Sequence, residues 1–392
     1  MTRPARITLA ERRARLGVRH HLAAKARATS PVEAADGVVA LHATDPASVF
    51  LALRARMAAP TVPGIEQALY EDKSLVRLLG MRRTMFVVAR EMVSVIQSGC
   101  AAAIAVRQRK RYAQILEQAG AGDAAFLREV GDATLAALVK RGVATGAQLA
   151  TDEPRLRTQI SVAEGKSYAS IQNITTWVLF QLGLDGLIFR GRPRGTWISS
   201  QYQWSPADVW LPGGIDGMPA ATAKTELVRR WLAAFGPGTV ADLRWWTGWT
   251  AAHVKAALAG LEVVEVDLDG ETGLVLAGDV GSTKKPATWV ALLPALDPTA
   301  MGWAQRSWYV GEHKAALFDR SGNIGPTIWL DGRIVGGWAQ RTSGEVVYRL
   351  LEDIGSEAVQ AVAAEAARLS EWIGPVRVTP RFRTPLEREL VA

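Results

Sequence analysis

Three of the four residues in His42-Ala43-Thr44-Asp45 can handle a proton or hold a water. A histidine near its ordinary titration point serves as a base at neutral pH, and a hydroxyl or carboxylate beside it orients the water. The chemistry this suits is hydrolysis, with His42, Thr44 and Asp45 as the candidate catalytic residues. The string also reads as a folding signal. Asp45-Pro46 is a helix start, with the aspartate as cap and the proline at the first position.

Basic clusters are the second kind of candidate. Arg190-Gly191-Arg192-Pro193-Arg194-Gly195 is expected at the tip of a hairpin, where Arg190, Arg192 and Arg194 would enter a DNA groove. Arg82 and Arg83 fall at the tip of an earlier hairpin. Arg107, Arg109, Lys110 and Arg111 lie on or beside a helix, and two readings stand for them, phosphate contact or a solvated charged face. All 14 tryptophans lie at or after Trp177. Trp245 and Trp249, four apart, are expected on one helix face as packing residues.

Other chemistry is not signalled. Cys100 is the only cysteine, the five histidines have no zincin spacing, and no phosphate-binding loop, dinucleotide fingerprint or nucleophile elbow occurs. No metal and no cofactor is expected.

The elements that must position these residues follow from punctuation and periodicity. Ser30–Leu41, Asp45–Arg56 and Pro63–Tyr70 read as helices, followed by strands Leu75–Leu79 and Thr84–Ala89. Gly142-x-x-Thr145-x-Ala147-x-Leu149 recurs as Gly236-x-x-Thr239-x-Ala241-x-Leu243, in both cases after an amphipathic helix, Thr134–Arg141 and Thr225–Phe235. Helix, glycine turn, threonine cap and helix form the front half of a helix-turn-helix. After the first copy come a helix at Ala169–Leu182 and strands Gly186–Arg190 and Thr196–Ser200. After the second come a helix at Thr250–Leu258 and strands Leu261–Asp267 and Thr272–Ala277. Beyond residue 288, strands at Val290–Leu293, Thr327–Asp331, Arg333–Gln340, Val346–Leu350 and Val376–Arg381 and a helix at Ser356–Ile373 make a small tail. The expected fold is α+β, three tandem winged-helix units followed by a small β-rich C-terminal domain. The boundaries are 1–95, 96–210, 211–285 and 286–392.

Composition sets the class. The 392 residues carry a net charge of +8, at 48% hydrophobic and 21% charged, which excludes a disordered or fibrous chain. Up to Gln203 there are 28 Lys/Arg against 16 Asp/Glu, and from Trp204 onward 18 against 22. A basic excess on a chain without disulfides points to a polyanion, duplex DNA, lying across the first two units. No apolar run reaches the ~20 residues of a spanning helix, and the start has no signal-peptide pattern. The expectation is a monomer, cytoplasmic and nucleoid-associated, with no membrane partner.

The ordered blocks Val38–Arg56, Leu75–Val88, Leu227–Trp249, Leu292–Arg306 and Asp331-Gly332-Arg333 make the sequence resemble the bacterial winged-helix DNA glycosylases of the AlkZ and YcaQ type. The resemblance runs from about residue 8 to 350. It implies a monofunctional glycosylase that hydrolyses the N-glycosidic bond of bulky N7-alkylated purines, crosslinks included. The family's Gln-x-Gln or Gln-x-Asp motif falls on His42-Ala43-Thr44, so neither position keeps the family residue. Two further readings are a DNA-binding protein without turnover, regulator or lesion sensor, and a resistance protein that sequesters an alkylating compound.

Overall fold

The computed structural model describes residues 4–162 and 170–392. It is α+β, with helices between several small sheets. One three-stranded sheet holds Leu41–His42, Met85–Ala89 and Leu75–Leu79 in that spatial order. A four-stranded antiparallel sheet holds Val290–Leu293, Thr327–Leu330, Arg333–Gln340 and Val346–Leu350.

The first segment departs from expectation where it matters most. The helix begun at Ser30 covers only Pro31–Asp36, capped by the Ser30 hydroxyl. Gly37 stops it, Val39 takes a left-handed φ of 63°, and the chain turns into the strand Leu41–His42. Val39 adopts this turn against its preference, since a β-branched residue disfavours the left-handed region, so the turn is held by the surrounding core in which Val38 and Val39 are buried. Leu41 pairs with Val87 and His42 with Phe86. His42 therefore stands on an edge strand and not at a helix end. Asp45 then caps the helix Pro46–Arg54, the Ala47 N–H donating to Asp45 Oδ1 at 3.0 Å.

The repeated Gly–Thr motif builds matching turns. Thr145 caps Gly146–Asp152 with Gln148, and Thr239 caps Val240–Thr247 with Asp242, each as a reciprocal capping box. The first preceding helix is longer than expected, Ala124–Arg141, and a long helix Ala102–Gln118 comes before it. Ala169, the expected start of the next helix, lies outside the described residues. The helix observed there is Thr175–Leu184, preceded by a hairpin of Gln159–Val162 and Ser170–Asn173 that sequence patterning missed. Val376–Arg381 is not a strand. Its backbone is held by side chains instead, Val378 N–H donating to Gln340 Oε1 and Arg381 N–H to Asp45 Oδ2.

Packing joins the ends of the chain. The first segment, the third and the C-terminal region share one continuous apolar core, which Leu184, Phe189 and Trp197 of the second segment also enter. Most buried apolar residues between Leu116 and Trp204 form a second core, and Ile7, Val266, Leu268 and Val275 a small third one. Arg56 and Asp297, both fully buried, form a two-pronged pair at 2.7 and 2.9 Å. Arg54 pairs with Glu365, and Ser48 Oγ donates to Ala295 O at 2.8 Å. These contacts fasten the Pro46–Arg54 helix, and with it the His42–Asp45 segment, to the C-terminal half. No described helix is long and apolar enough to cross a membrane.

Candidate active site and nucleic-acid interface

The edge strand that carries His42 alternates by the ordinary period of two. Leu41 is buried at 0% exposure and His42 stays partly exposed; past the strand, Ala43 is again buried at 0% and Thr44 partly exposed. The His42 ring packs edge-on against Phe86, with centroids 5.6 Å apart. Its Nδ1 is buried and has no hydrogen-bond partner. Burial, aided by the positive charge of Arg82, pushes the imidazole down to about 4. At neutral pH it is uncharged, and a ring nitrogen of a neutral imidazole either accepts or donates a hydrogen bond.

Thr44 and Asp45 open onto a cleft of about 540 Å3, with Arg190, Tyr202 and Trp204 facing them and Thr379 and Arg381 closing one side. His42 does not line this cleft. It sits two residues back along the strand, on the side toward Arg82. Burial raises the Asp45 carboxyl above its ordinary range, against the N–H groups of Arg381 and Ala47, which favour the charged form.

A second cleft of about 610 Å3 lies beyond Arg82. It is bordered by Arg82, Arg83, Arg107, Arg111 and Lys224, and among the described residues no carboxylate lines it. Arg82 and Arg83 occupy the turn between Leu79 and Met85 with left-handed φ of 53° and 60°. The Arg83 guanidinium donates to Gln108 Oε1 at 2.9 Å. Arg82 and Arg306 both sit 4.4 Å from the Trp245 ring. The Val240–Thr247 helix stops at Gly248 in the left-handed region, so Trp245 and Trp249 do not share a helix face as expected. Trp246 is the buried member of the group, Trp245 is half-buried between two cations, and Trp249 lines the second cleft.

The expected hairpin-tip arginines are placed differently. The strands are Ile188–Pro193 and Tyr202–Pro206, with Arg190 opposite Trp204, so Arg190 and Arg192 lie within a strand and only Arg194 is on the exposed connection. The expectation fails because Gly191 and Pro193 do not break the strand but are accommodated at an irregularity in its register. Arg192 is bound to Glu66 at 3.0 Å and Glu71 at 2.9 Å, so its charge is locally neutralised. Arg109 pairs with Asp185 at 2.6 Å, away from the second cleft, while Lys110 is exposed. The structure thus brings Thr44, Asp45 and Arg190 together at one cleft and Arg82, Arg83, Arg107 and Arg111 at the other. It adds Tyr202, Arg381 and Lys224, which sequence reasoning missed. Arg77 was also missed, although its signal was present: a lone charge inside Leu75-Val76-Arg77-Leu78-Leu79.

Among the described residues no group of three or more His, Cys, Asp or Glu could hold a metal ion. The cysteine thiol at Cys100 is buried and pushed up to about 12, which leaves it unreactive.

Comparison with known proteins points to one family. Residues 35–372 match the family model described as DNA glycosylase AlkZ-like. An interstrand DNA cross-link repair glycosylase from Streptomyces sahachiroi is 28% identical over 216 residues, 52% of this chain. The aligned part spans 57% of that relative's length. The solved structure of Streptomyces sahachiroi DNA glycosylase AlkZ has a TM-score of 0.74 at 21% identity, over 96% of this chain and 99% of that one.

Proposed function

The chain belongs to the AlkZ-like DNA glycosylase family, and on that premise we propose that it releases a bulky N7-alkylated purine, crosslinked purines included, from duplex DNA, with His42, Thr44 and Asp45 at the reaction centre. We read its three helix-rich segments as tandem winged helices that share one face to the duplex.

The chemistry asks little of the protein. An N7-alkylpurine is already cationic. When the C1′–N9 bond breaks, its electron pair returns to the ring and a neutral base departs. The sugar is left as an oxocarbenium ion, water adds at C1′, and the water's proton passes to the surroundings. An enzyme contributes most by placing the water and by stabilising the transient positive charge. His42 suits the first role. Its imidazole is neutral at working pH, and a water can hydrogen-bond the ring only on its partly exposed side, since Nδ1 is buried without a partner. A base held this far below neutrality is a weak proton acceptor, so His42 orients the water more than it deprotonates it. Asp45 suits the second role, as the negative charge at the cleft wall when ionised. The Thr44 hydroxyl adds a third hydrogen-bonding group at the same edge.

DNA is the proposed partner of the two clefts. The second supplies cations without a neutralising carboxylate, which fits phosphate contacts that position a duplex without reading its sequence.

The observation that carries the reading is the short segment after the Leu41–His42 strand, which sets Thr44 and Asp45 on the wall of a cleft lined by Arg190 and Arg381, with the neutral His42 just before them. The test is release of free base from duplexes carrying a panel of N7-alkylguanine adducts. The reading expects base release and an abasic product. Retention of all adducts by a folded protein that still binds the duplexes would favour the lesion-sensor reading instead.

A further inference from the structure

Arg77 occupies the middle of the strand Leu75–Leu79, whose other residues are apolar and buried. It is 2% exposed, and none of its three guanidinium nitrogens has a hydrogen-bond partner. Leaving a charge so placed without a partner is costly. Part of the cost is offset by the Tyr202 ring, whose centroid lies 4.7 Å from the guanidinium carbon. Arg190 lies over the same ring at 5.1 Å and over Trp204 at 4.9 Å, and its Nε is buried without a partner. Arg381 lines the cleft beside it.

None of Arg77, Arg190 and Arg381 forms an ion pair among the described residues, whereas the neighbouring Arg192 is held by two glutamates. The carboxylate that faces this group is Asp45, and both its oxygens already accept backbone N–H groups. Burial, and to a lesser degree the charges of Arg77 and Arg381, bring the Arg190 guanidinium down to about 10 against the opposing pull of Tyr202. The Tyr202 hydroxyl is likewise buried without a partner. Converging donors with nothing to donate to define an anion site.

We propose that Arg190 and Arg381, backed by Arg77 through Tyr202, grip a backbone phosphodiester directly beside the nucleotide whose base is released. Guanidinium groups suit the planar, two-pronged recognition of phosphate oxygens. Ser200 and Thr379 on the same cleft add hydroxyl donors. Because Thr44 and Asp45 form the adjoining wall, a phosphate seated here presents its own sugar to the His42–Asp45 segment. The phosphate also completes the charge balance that the protein leaves open and places a negative group near the developing sugar cation. This site rests on the glycosylase reading for its ligand. It is distinct from the second cleft, which is built from other cations.

The experiment uses a duplex with a non-cleavable abasic analogue, and a set of the same duplex in which one linkage at a time is an uncharged methylphosphonate. For the wild type, one or two linkages next to the analogue are expected to weaken binding about tenfold, the value of one charge-assisted contact. Arg190→Gln and Arg381→Gln are expected to weaken binding of the unmodified duplex similarly and to become indifferent to that same linkage. Their salt slopes should fall by about one phosphate contact. Arg190→Lys, which keeps charge but loses the fork, is expected to recover part of the affinity. Unchanged melting temperatures exclude misfolding as the cause. A flat linkage scan for the wild type, or unaltered linkage sensitivity in Arg190→Gln, would overturn the proposal. So would stabilisation of the wild type by inorganic phosphate with a flat scan, since the site would then take free phosphate only. A protein that shows the linkage pattern and releases no base would refute the glycosylase reading and leave this site standing.

Discussion

At the scale of single residues, the sequence made His42 visible and misplaced it. The apolar run before it reads as a helix end, but the helix stops at Gly37, the chain turns at Val39, and His42 falls on the short strand Leu41–His42. His42 ends the strand and Thr44 follows in the bend before the Pro46–Arg54 helix, so both stay partly exposed without lining the same cleft. Arg82 and the surrounding apolar groups keep the imidazole uncharged well below neutral pH. Excision is therefore expected to be nearly constant from pH 5 to 8, with the His42-dependent acid limb near 4. A limb near the ordinary histidine value of ~6.5 would contradict the burial argument. A second prediction concerns the family motif. His42→Gln places there the glutamine that the family resemblance implies and is expected to retain excision while losing the acid limb. If it is as inactive as His42→Ala in a pH-resolved single-turnover assay, the water-orienting role is wrong.

At the scale of elements, helix starts were the most legible feature, because caps act locally. Ser30, Asp45, Thr145, Thr239 and Thr250 all cap the helices their spacing announced. Ends and tips were less legible, since they depend on partners far away in sequence. Gly248 shows why. Its left-handed φ of 71° ends the Val240–Thr247 helix, and a Cβ there would come within 2.8 Å of Arg82 Cγ. Gly248→Ala is expected to cost about 1–2 kcal/mol in unfolding experiments from the backbone conformation alone. It should also weaken duplex binding by moving Arg82 off Trp245. Unchanged binding would show that the Arg82–Trp245 contact does not shape the second cleft. The C-terminal helix Pro385–Val391 offers a pH test. Burial pushes the Glu387 carboxyl up to about 7, against the pull of Arg383. A carboxyl raised in the folded state favours folding while it is protonated, and that advantage fades as pH rises from ~4.5 to ~7. Wild type is thus expected to lose on the order of 3 kcal/mol over that window. Glu387→Gln, which mimics the protonated form, should not. Denaturant titrations at pH 4 and pH 8 decide it, and a Gln variant less stable than wild type at pH 8 would contradict the assignment.

At the scale of the whole molecule, the lopsided charge points to a polyanion partner and leads to the expectation that it lies on the front of the chain. It did not foretell that the tail and the third segment complete the two clefts through Arg381 and Lys224. Nothing local in sequence marks these two, because only the shared core brings the chain ends together. The buried Arg56–Asp297 pair is one rivet of that union, and removing Asp297 alone, as in Asp297→Ala, is expected to cost about 3–5 kcal/mol by leaving an uncompensated guanidinium. The tryptophans also find their meaning here. They pack the joined halves, as Trp231 and Trp329 do at 0% exposure, and few stand free enough to stack on bases. The central claim is that a folded, DNA-bound protein hydrolyses an N-glycosidic bond with His42 positioning the water. Single-turnover release of an N7-alkylguanine from duplex DNA, by wild type and His42→Ala side by side, tests it most directly. The account predicts release by the wild type and a loss of at least about 100-fold in the variant, with melting temperature and duplex affinity unchanged. Equal rates in the two proteins, or no release by either, would contradict it.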